Sequence, residues 1–338
     1  MVYNNAYLER LEAGLRPLLP QWGIDKAAEL ALLTFSENAT FLVKDTATAQ
    51  RLILRVHRPG CSTPQEINSE LAWLHAVKAQ GDINVAASIA MLNGEHIAEL
   101  KEGDTSTWVV AFEFIPGSEP NSEVNLHHWY RRLGQTAGHL HQHSQQWQRP
   151  ESFTRRTWRL ETIIGEQGFW GDWRALHPFT PGERALLTQV EDDIKHKLGN
   201  YGHAPDRFGL VHCDMRLANL LVAGDKLTVI DFDDCGICWY GWDFATAVSF
   251  IEDDVRLSEY CQAWVSGYRT VRQFSSCDEE ILPVLVMLRR LQLTAWMSSH
   301  AETPTAQQLR PGWVENTLAL GKKYLANQLI NRETLQDV

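Results

Sequence analysis

The sequence predicts an α+β protein in two lobes, a small β-rich lobe followed by a larger α-rich one. Three observations lead there. Short apolar or alternating segments, rich in β-branched residues and separated by Gly, Pro and Asn turns, crowd the first 115 or so residues. Beyond about residue 120 the apolar residues recur at helical spacing instead. Pro116-Gly117-Ser118-Glu119-Pro120 stands between the two regimes and reads as a linker. The expected lobes are therefore residues 1–117 and 118–338. A chain of 338 residues that is 44% hydrophobic carries enough apolar material for both.

Residues 4–19 read as a helix, with Leu8, Leu11, Leu15, Leu18 and Leu19 on one face. Strands follow at 29–35, 39–44 and 51–57, the last alternating polar and apolar from Arg51 to His57 before Pro59-Gly60 ends it. Thr63-Pro64-Gln65-Glu66 has the cap, first-turn proline and reciprocal acid of a helix start, and the helix runs to about Gln80. Asn93-Gly94 predicts a hairpin between strands near 85–92 and 95–101. Trp108 to Ile115 forms a further strand, closed by Pro116-Gly117. In the second half, helices are expected over 122–146, 182–198, 242–251, 257–271, 279–298 and 313–329, interrupted by a strand-loop-strand region around 209–232. The stretch 147–180 is rich in Trp and Arg and is left without an element. No internal repeat or low-complexity tract is present.

Composition narrows the function classes. A net charge of -11, from 31 basic and 42 acidic residues, argues against a nucleic-acid binder. The acidity is compatible with a cationic substrate, but many proteins are acidic for solubility alone, and that plainer reading is the favoured one. Met1 to Trp22 has no signal-peptide pattern. No apolar run is long enough for a membrane span, and Ile281 to Trp296 is broken by Arg289, Arg290 and Gln292. Six scattered cysteines form no disulfide framework; Cys235 and Cys238 have CxxC spacing but no second pair, so reduced thiols and a cytoplasmic setting are expected. His139 and His143 lie four apart on a helix but lack the Glu of a zinc motif and a third ligand. Oligomeric state is not legible.

Chemistry concentrates between residues 209 and 234. Gly209-Leu210-Val211 leads into His212-Cys213-Asp214-Met215-Arg216-Leu217-Ala218-Asn219, and Val229-Ile230 into Asp231-Phe232-Asp233-Asp234. An Asp, an Asn five residues later and a second Asp twelve beyond that suit phosphoryl transfer. Asp214 can orient and deprotonate an attacking hydroxyl. Asn219 and Asp231 are hard oxygen ligands for magnesium, which needs only one or two from the protein beside the phosphates. The plainer alternative is that Asp214 and Asn219 cap turns.

This order of parts resembles the protein-kinase-like fold, specifically the aminoglycoside phosphotransferase family of small-molecule kinases, with choline kinase and homoserine kinase type II relatives. The resemblance covers roughly residues 25–330 and is strongest in His212-x-Asp214-x-x-x-x-Asn219 followed by Ile230-Asp231-Phe232-Asp233. It implies ATP and Mg2+ as cofactors. It implies that Asp214 is catalytic, and that Arg216 either stabilises charge on the transferring phosphate or forms a structural ion pair. Asp243, in Trp242-Asp243-Phe244-Ala245, would support the catalytic loop from beneath. Arg55 takes the strand position where the family usually has Lys, and Glu70, rather than the capping Glu66, would be its helix partner. Ser36, Asn38 and Thr40 would cover the phosphates, in place of a Gly-rich loop. The backbone of Glu113-Phe114-Ile115 would meet the adenine, so Glu113 and Ile115 count as nucleotide-binding. Leu140-His141 fits a packing feature of the family.

The acceptor site is expected in the large lobe, lined by Asp233, Asp234, Trp239, Tyr240 and Trp242. Carboxylates beside aromatic faces suit a small cationic acceptor: a hydroxylated amine, amino acid or amino sugar. The alternative for these aromatics is helical core. A protein Ser/Thr kinase is the second reading, opposed by the missing Asp-Phe-Gly and Ala-Pro-Glu and by the short gap from Asp231 to Asp243. A non-catalytic nucleotide-binding regulator is the third, opposed by the intact Asp214, Asn219 and Asp231 and kept open by Arg55.

Overall fold

In the computed structural model, which describes residues 5–102, 105–120 and 124–331, the elements follow in the order α1 (Asn5–Leu15), β1 (Glu29–Phe35), β2 (Ala39–Lys44), β3 (Arg51–Val56), α2 (Pro64–Gln80), β4 (Asn84–Val85), β5 (Ser88–Ile89), β6 (Ile97–Glu102) and β7 (Thr105–Glu113). The second half adds α3 (Leu126–Gln146), α4 (Leu160–Ile163), α5 (Pro181–Tyr201), β8 (Phe208–Val211), β9 (Leu220–Ala223), β10 (Lys226–Val229), β11 (Gly236–Trp239), α6 (Trp242–Ala247), α7 (Leu257–Arg269), α8 (Ser276–Ser299), α9 (Pro304–Leu309) and α10 (Trp313–Leu325). The expected helix starts at residue 4 and at residues 122–123 lie outside the described residues. The fold is the bilobal, protein-kinase-like one: an antiparallel sheet in the first lobe and mostly helices in the second.

Local chemistry accounts for most boundaries. The helix expected over 4–19 stops at Leu15 and tightens into a 3-10 turn over Arg16–Trp22, because Pro17 and Pro20 offer no N–H to an α-helical ladder. α2 begins as read: Thr63 Oγ1 accepts from the Glu66 N–H at 3.3 Å, Glu66 Oε2 accepts from the Thr63 N–H at 2.9 Å, and Pro64 fills the first turn. α6, expected to residue 251, ends at Ala247, and Phe250 adopts a left-handed φ of 74°.

The Asn93-Gly94 turn is not a hairpin between paired strands. β5 and β6 lie in succession along the same edge of β7, with residues 90–96 bulging between them, and β3 takes the opposite edge. β7 is long enough, at nine residues, to satisfy both in turn, so the true hairpin is β6–β7.

Two apolar cores result. The smaller gathers α1, the 3-10 turn and the sheet around Leu15, Leu19, Phe41, Val43, Leu54 and Val109. The larger fills the helical lobe and takes in Ile67, Leu71, Trp73, Leu74 and Val77 of α2. β4 also pairs in parallel with β10, joining a segment that precedes the linker to the strand that carries Asp231 at its end. The stretch 147–180 contributes α4 and a 3-10 turn at Trp173–Ala175, pinned by the buried Trp158 and Trp173. Among the described residues no helix is long and apolar enough to cross a membrane.

Candidate active site

β8 and β11 pair, and the loop leaving β8 is held from below by one buried carboxylate. Asp243, at the start of α6, accepts from the Cys213 N–H at 2.8 Å and the His212 N–H at 3.3 Å, and meets His141 Nε2 at 2.9 Å. His212 Nε2 lies 3.1 Å from the Ile230 carbonyl, tying the loop to the strand that delivers Asp231. Cys213 and Asp231 both adopt positive φ, 67° and 62°. Such residues persist only where surrounding bonds over-determine them, and both lie on the segments that bring Asp214 and Asp231 to one cleft.

These bonds place Asp214, Arg216 and Asp231 on the wall of one cleft of about 240 Å³, together with Ser36, Asn38, Thr40, Arg55, Asp233 and Asp234. Asp214 is heavily engaged. It accepts from Arg216 Nε at 3.1 Å, Arg289 Nη2 at 3.0 Å and Asn219 Nδ2 at 2.8 Å. Burial acts to raise its pKa, but Arg216 and Arg289 outweigh it and hold the carboxyl below the ordinary range.

Arg55 and Glu70 form the pair expected on β3 and α2. Arg55 Nη2 donates to both Glu70 oxygens at 2.7 Å, with the pair almost fully buried, and Nη1 reaches Asp231 at 3.5 Å. Glu70 thus sits behind the cleft and aims the guanidinium into it. Removing either partner would leave a buried charge uncompensated, at a cost of about 3–5 kcal/mol.

Ser36, Glu37 and Asn38 make a three-residue turn between β1 and β2. Asn38, expected on the phosphates, donates instead to Asp233 Oδ2 at 2.7 Å and accepts from the Arg58 N–H at 3.3 Å. Asp233, expected to face the acceptor, is correspondingly a brace: although burial opposes it, Arg55, His57 and Arg155 keep its carboxyl well below the usual range. At the linker, the Glu113 side chain turns to Lys78 Nζ at 2.6 Å and its N–H to the Ala87 carbonyl. The Ile115 N–H makes no hydrogen bond among the described residues.

The expected acceptor wall needs correction. Trp239, Tyr240 and Trp242 are only 1–3% exposed and do not line the cleft. Trp239 packs on Phe208 and donates to the Gly202 carbonyl, while Tyr240 stacks near His141. They follow β11 into the core because that strand pairs with β8 beneath the loop. The cleft's aromatic residues come from elsewhere: Trp170 from the unassigned stretch, Phe250 after α6 and Trp296 on α8, with Glu37 and Arg289 also facing in. The Trp- and Arg-rich stretch and the polar breaks in Ile281–Trp296 were the sequence signals for two of these. Asp234 does line the cleft. Its carboxylate accepts no hydrogen bond among the described residues, and burial with Asp214 and Asp233 nearby pushes it up to about 7.

A divalent cation would find hard oxygens here. Asn219 donates its amide nitrogen to the Asp214 carbonyl and carboxylate, which leaves the amide oxygen as the free end. Asp231 accepts no hydrogen bond among the described residues; desolvation in the cleft and its acidic neighbours push it up to about 6 against the pull of Arg55. An amide oxygen and a carboxylate fit magnesium, which retains waters and phosphate oxygens. Among the described residues no group of three or more His, Cys, Asp and Glu could hold a metal by itself.

Comparison with known proteins bears on the family and the fold. Residues 34–274 match the family model described as APH, phosphotransferase enzyme family. A solved structure of a microcompartment-associated aminopropanol kinase superposes with a TM-score of 0.86 at 41% identity, over 94% of this chain and 98% of that one. Amicoumacin kinase of Bacillus subtilis (strain 168) is 22% identical over 275 residues, 78% of each chain. A choline/ethanolamine kinase family protein from Mesorhizobium loti shares the fold, with a TM-score of 0.61 at 15% identity over 95% of this chain and 99% of that one.

Proposed function

Because the chain belongs to the APH phosphotransferase enzyme family and is a small-molecule kinase, we propose that it transfers the γ-phosphoryl group of ATP, with Mg2+, to the hydroxyl of a small amino alcohol. The observation that carries this reading is the Asp214 carboxylate, fixed by three donors at the wall of a cleft that also presents Asp234, a carboxylate with no hydrogen-bond donor among the described residues. The aminopropanol kinase at 41% identity supports an amino alcohol as acceptor.

Each residue has a task in that reaction. Arg55, aimed by Glu70, donates to phosphate oxygens bidentately, where a Lys would act as a point charge. Ser36 and Thr40 approach the phosphates from the β1–β2 side, and the Ile115 N–H takes the adenine edge. Asn219 and Asp231 would hold magnesium, which would supply positive charge against the charge that develops on the phosphates. Asp214 accepts the hydrogen bond of the attacking hydroxyl, aligns its lone pair with the γ-phosphorus and takes its proton as the new P–O bond forms and the bond from the γ-phosphorus to the bridging oxygen breaks, releasing ADP. Phosphoryl transfer has a loose transition state, so alignment and charge neutralisation dominate. Arg216 and Arg289 keep Asp214 ionised and lie close enough to follow charge onto the transferring group. Asp234 faces the acceptor's ammonium group. Between Asp231 and Asp243 the chain is occupied by β11 rather than a long activation loop.

The test is magnesium-dependent ATP consumption on a panel of amino alcohols, with the phosphorylated product identified by mass. Asp214→Asn is expected to lower kcat by about 10²-fold or more while leaving the Kd for Mg-ATP, measured by titration calorimetry, within about twofold. Near-normal kcat in that variant would remove Asp214 from its role.

A further inference from the structure

The turn that covers the nucleotide also carries a carboxylate, which is unexpected. A triphosphate repels it, so Glu37 gains nothing by facing the phosphates. It does not: Glu37 Oε1 accepts from Trp296 Nε1 on α8 at 3.0 Å, with His300 Nε2 at 3.8 Å. Trp296 is held in turn by stacking on His300, ring centroids 5.0 Å apart. His300 itself is lowered to about 4, chiefly by burial, so it is neutral near pH 7 and brings no charge to Glu37. Burial, with Asp234 and Asp233 nearby, raises the Glu37 carboxyl well above its ordinary value, opposed by Arg156. Glu37 and Asp234 line the same cleft, as do Trp170, Trp296 and Phe250, and the Asp234 carboxylate has no hydrogen-bond donor among the described residues.

Resting on the amino-alcohol reading above, we propose that Glu37 is a specificity-determining residue for the acceptor: it and Asp234 hold the ammonium group from opposite lobes, so the covering turn binds both substrates. Two carboxylates among aromatic faces match a primary ammonium, which donates in three directions and is attracted to aromatic π-faces. A neutral diol of the same shape gains nothing from them. The arrangement also couples the substrates. The ammonium draws the β1–β2 turn, already tied to Asp233 through Asn38, down over the γ-phosphate, and its charge offsets the carboxylates that crowd the phosphates.

The experiment compares 1-amino-2-propanol with propane-1,2-diol in the wild type, Glu37→Gln and Glu37→Asp. Glu37→Gln is expected to raise the KM for the amine about tenfold or more and to change the KM for Mg-ATP and for the diol far less, so that the amine-over-diol preference collapses. Glu37→Asp keeps the charge and is expected to retain most of the preference, which guards against a folding defect in the glutamine variant. An unchanged amine KM, an equal loss on amine and diol, or a rise confined to the KM for Mg-ATP overturns the assignment. A wild-type enzyme that phosphorylates no amino alcohol overturns the parent reading instead.

Discussion

Asp214 accepts hydrogen bonds from Arg216, Arg289 and Asn219 at once, and this crowding sets its behaviour. A carboxylate between two guanidiniums is a weak base, so in the proposed reaction it would hold the hydroxyl in line and receive a proton that the forming bond has already made acidic. Arg289 is itself locked, donating to Ser249 Oγ at 3.1 Å and to Gln292 Oε1 at 2.8 Å. Because the two arginines depress the Asp214 pKa, replacing one raises it, and the carboxylate is then lost to protonation at a higher pH. Arg289→Met is therefore expected to move the acid limb of the kcat profile toward neutrality and to lower the plateau about tenfold or more; an unmoved acid limb would show that Arg289 does not act through Asp214. Asp214, Asn219 and Asp231 were legible because they sit on one local strand-loop-strand pattern. Arg289 was not, since it lies 75 residues from the carboxylate it contacts and reads in sequence only as a break in an apolar helix.

At the level of elements, α3 and α7 cross almost backbone to backbone. A Cβ on Gly267 would come within 1.9 Å of the Arg131 carbonyl oxygen, and one on Gly134 within 1.9 Å of the Trp264 carbonyl oxygen. The helices can approach this closely only because both positions lack a side chain. Gly267→Ala is expected to destabilise the protein by about 1–3 kcal/mol despite alanine's better helix propensity, read as a lowered denaturant midpoint; a stabilised variant would mean the crossing relaxes freely. The strand β3 was legible from alternation, since Leu52, Leu54 and Val56 pack into the smaller core. The Asn93-Gly94 turn misled because turn chemistry fixes a reversal but not the partner: whether β5 pairs with β6 or both pair with β7 depends on a strand further along the chain. Trp239, Tyr240 and Trp242 misled for a related reason, as an aromatic run looks the same whether its strand borders a cleft or a core.

In the whole molecule the cleft lies where the small sheet meets the helical lobe, and long-range contacts close it: Asn38 with Asp233, Glu37 with Trp296, Arg58 with Glu302 and β4 with β10. A ligand that binds across such a junction stabilises both sides. Mg-ATP at about 100 times its Kd is expected to add about 2.7 kcal/mol to the folded state, seen as a rise in Tm, and Asp231→Ala should remove the magnesium-dependent part. An Asp231→Ala protein with an undiminished magnesium response would count against Asp231 as a metal ligand. The sequence by itself determined the α+β order of elements, the family resemblance and the loop bearing Asp214 and Asn219, because periodicity and short-range spacing are local properties of a chain. Only the tertiary structure decided which aromatics face the cleft, that Asp233 braces the β1–β2 turn through Asn38, and that Glu37 turns to Trp296. Those outcomes depend on side chains up to 259 residues apart meeting in one desolvated space, where burial and neighbouring charge, rather than residue type, set each group's role.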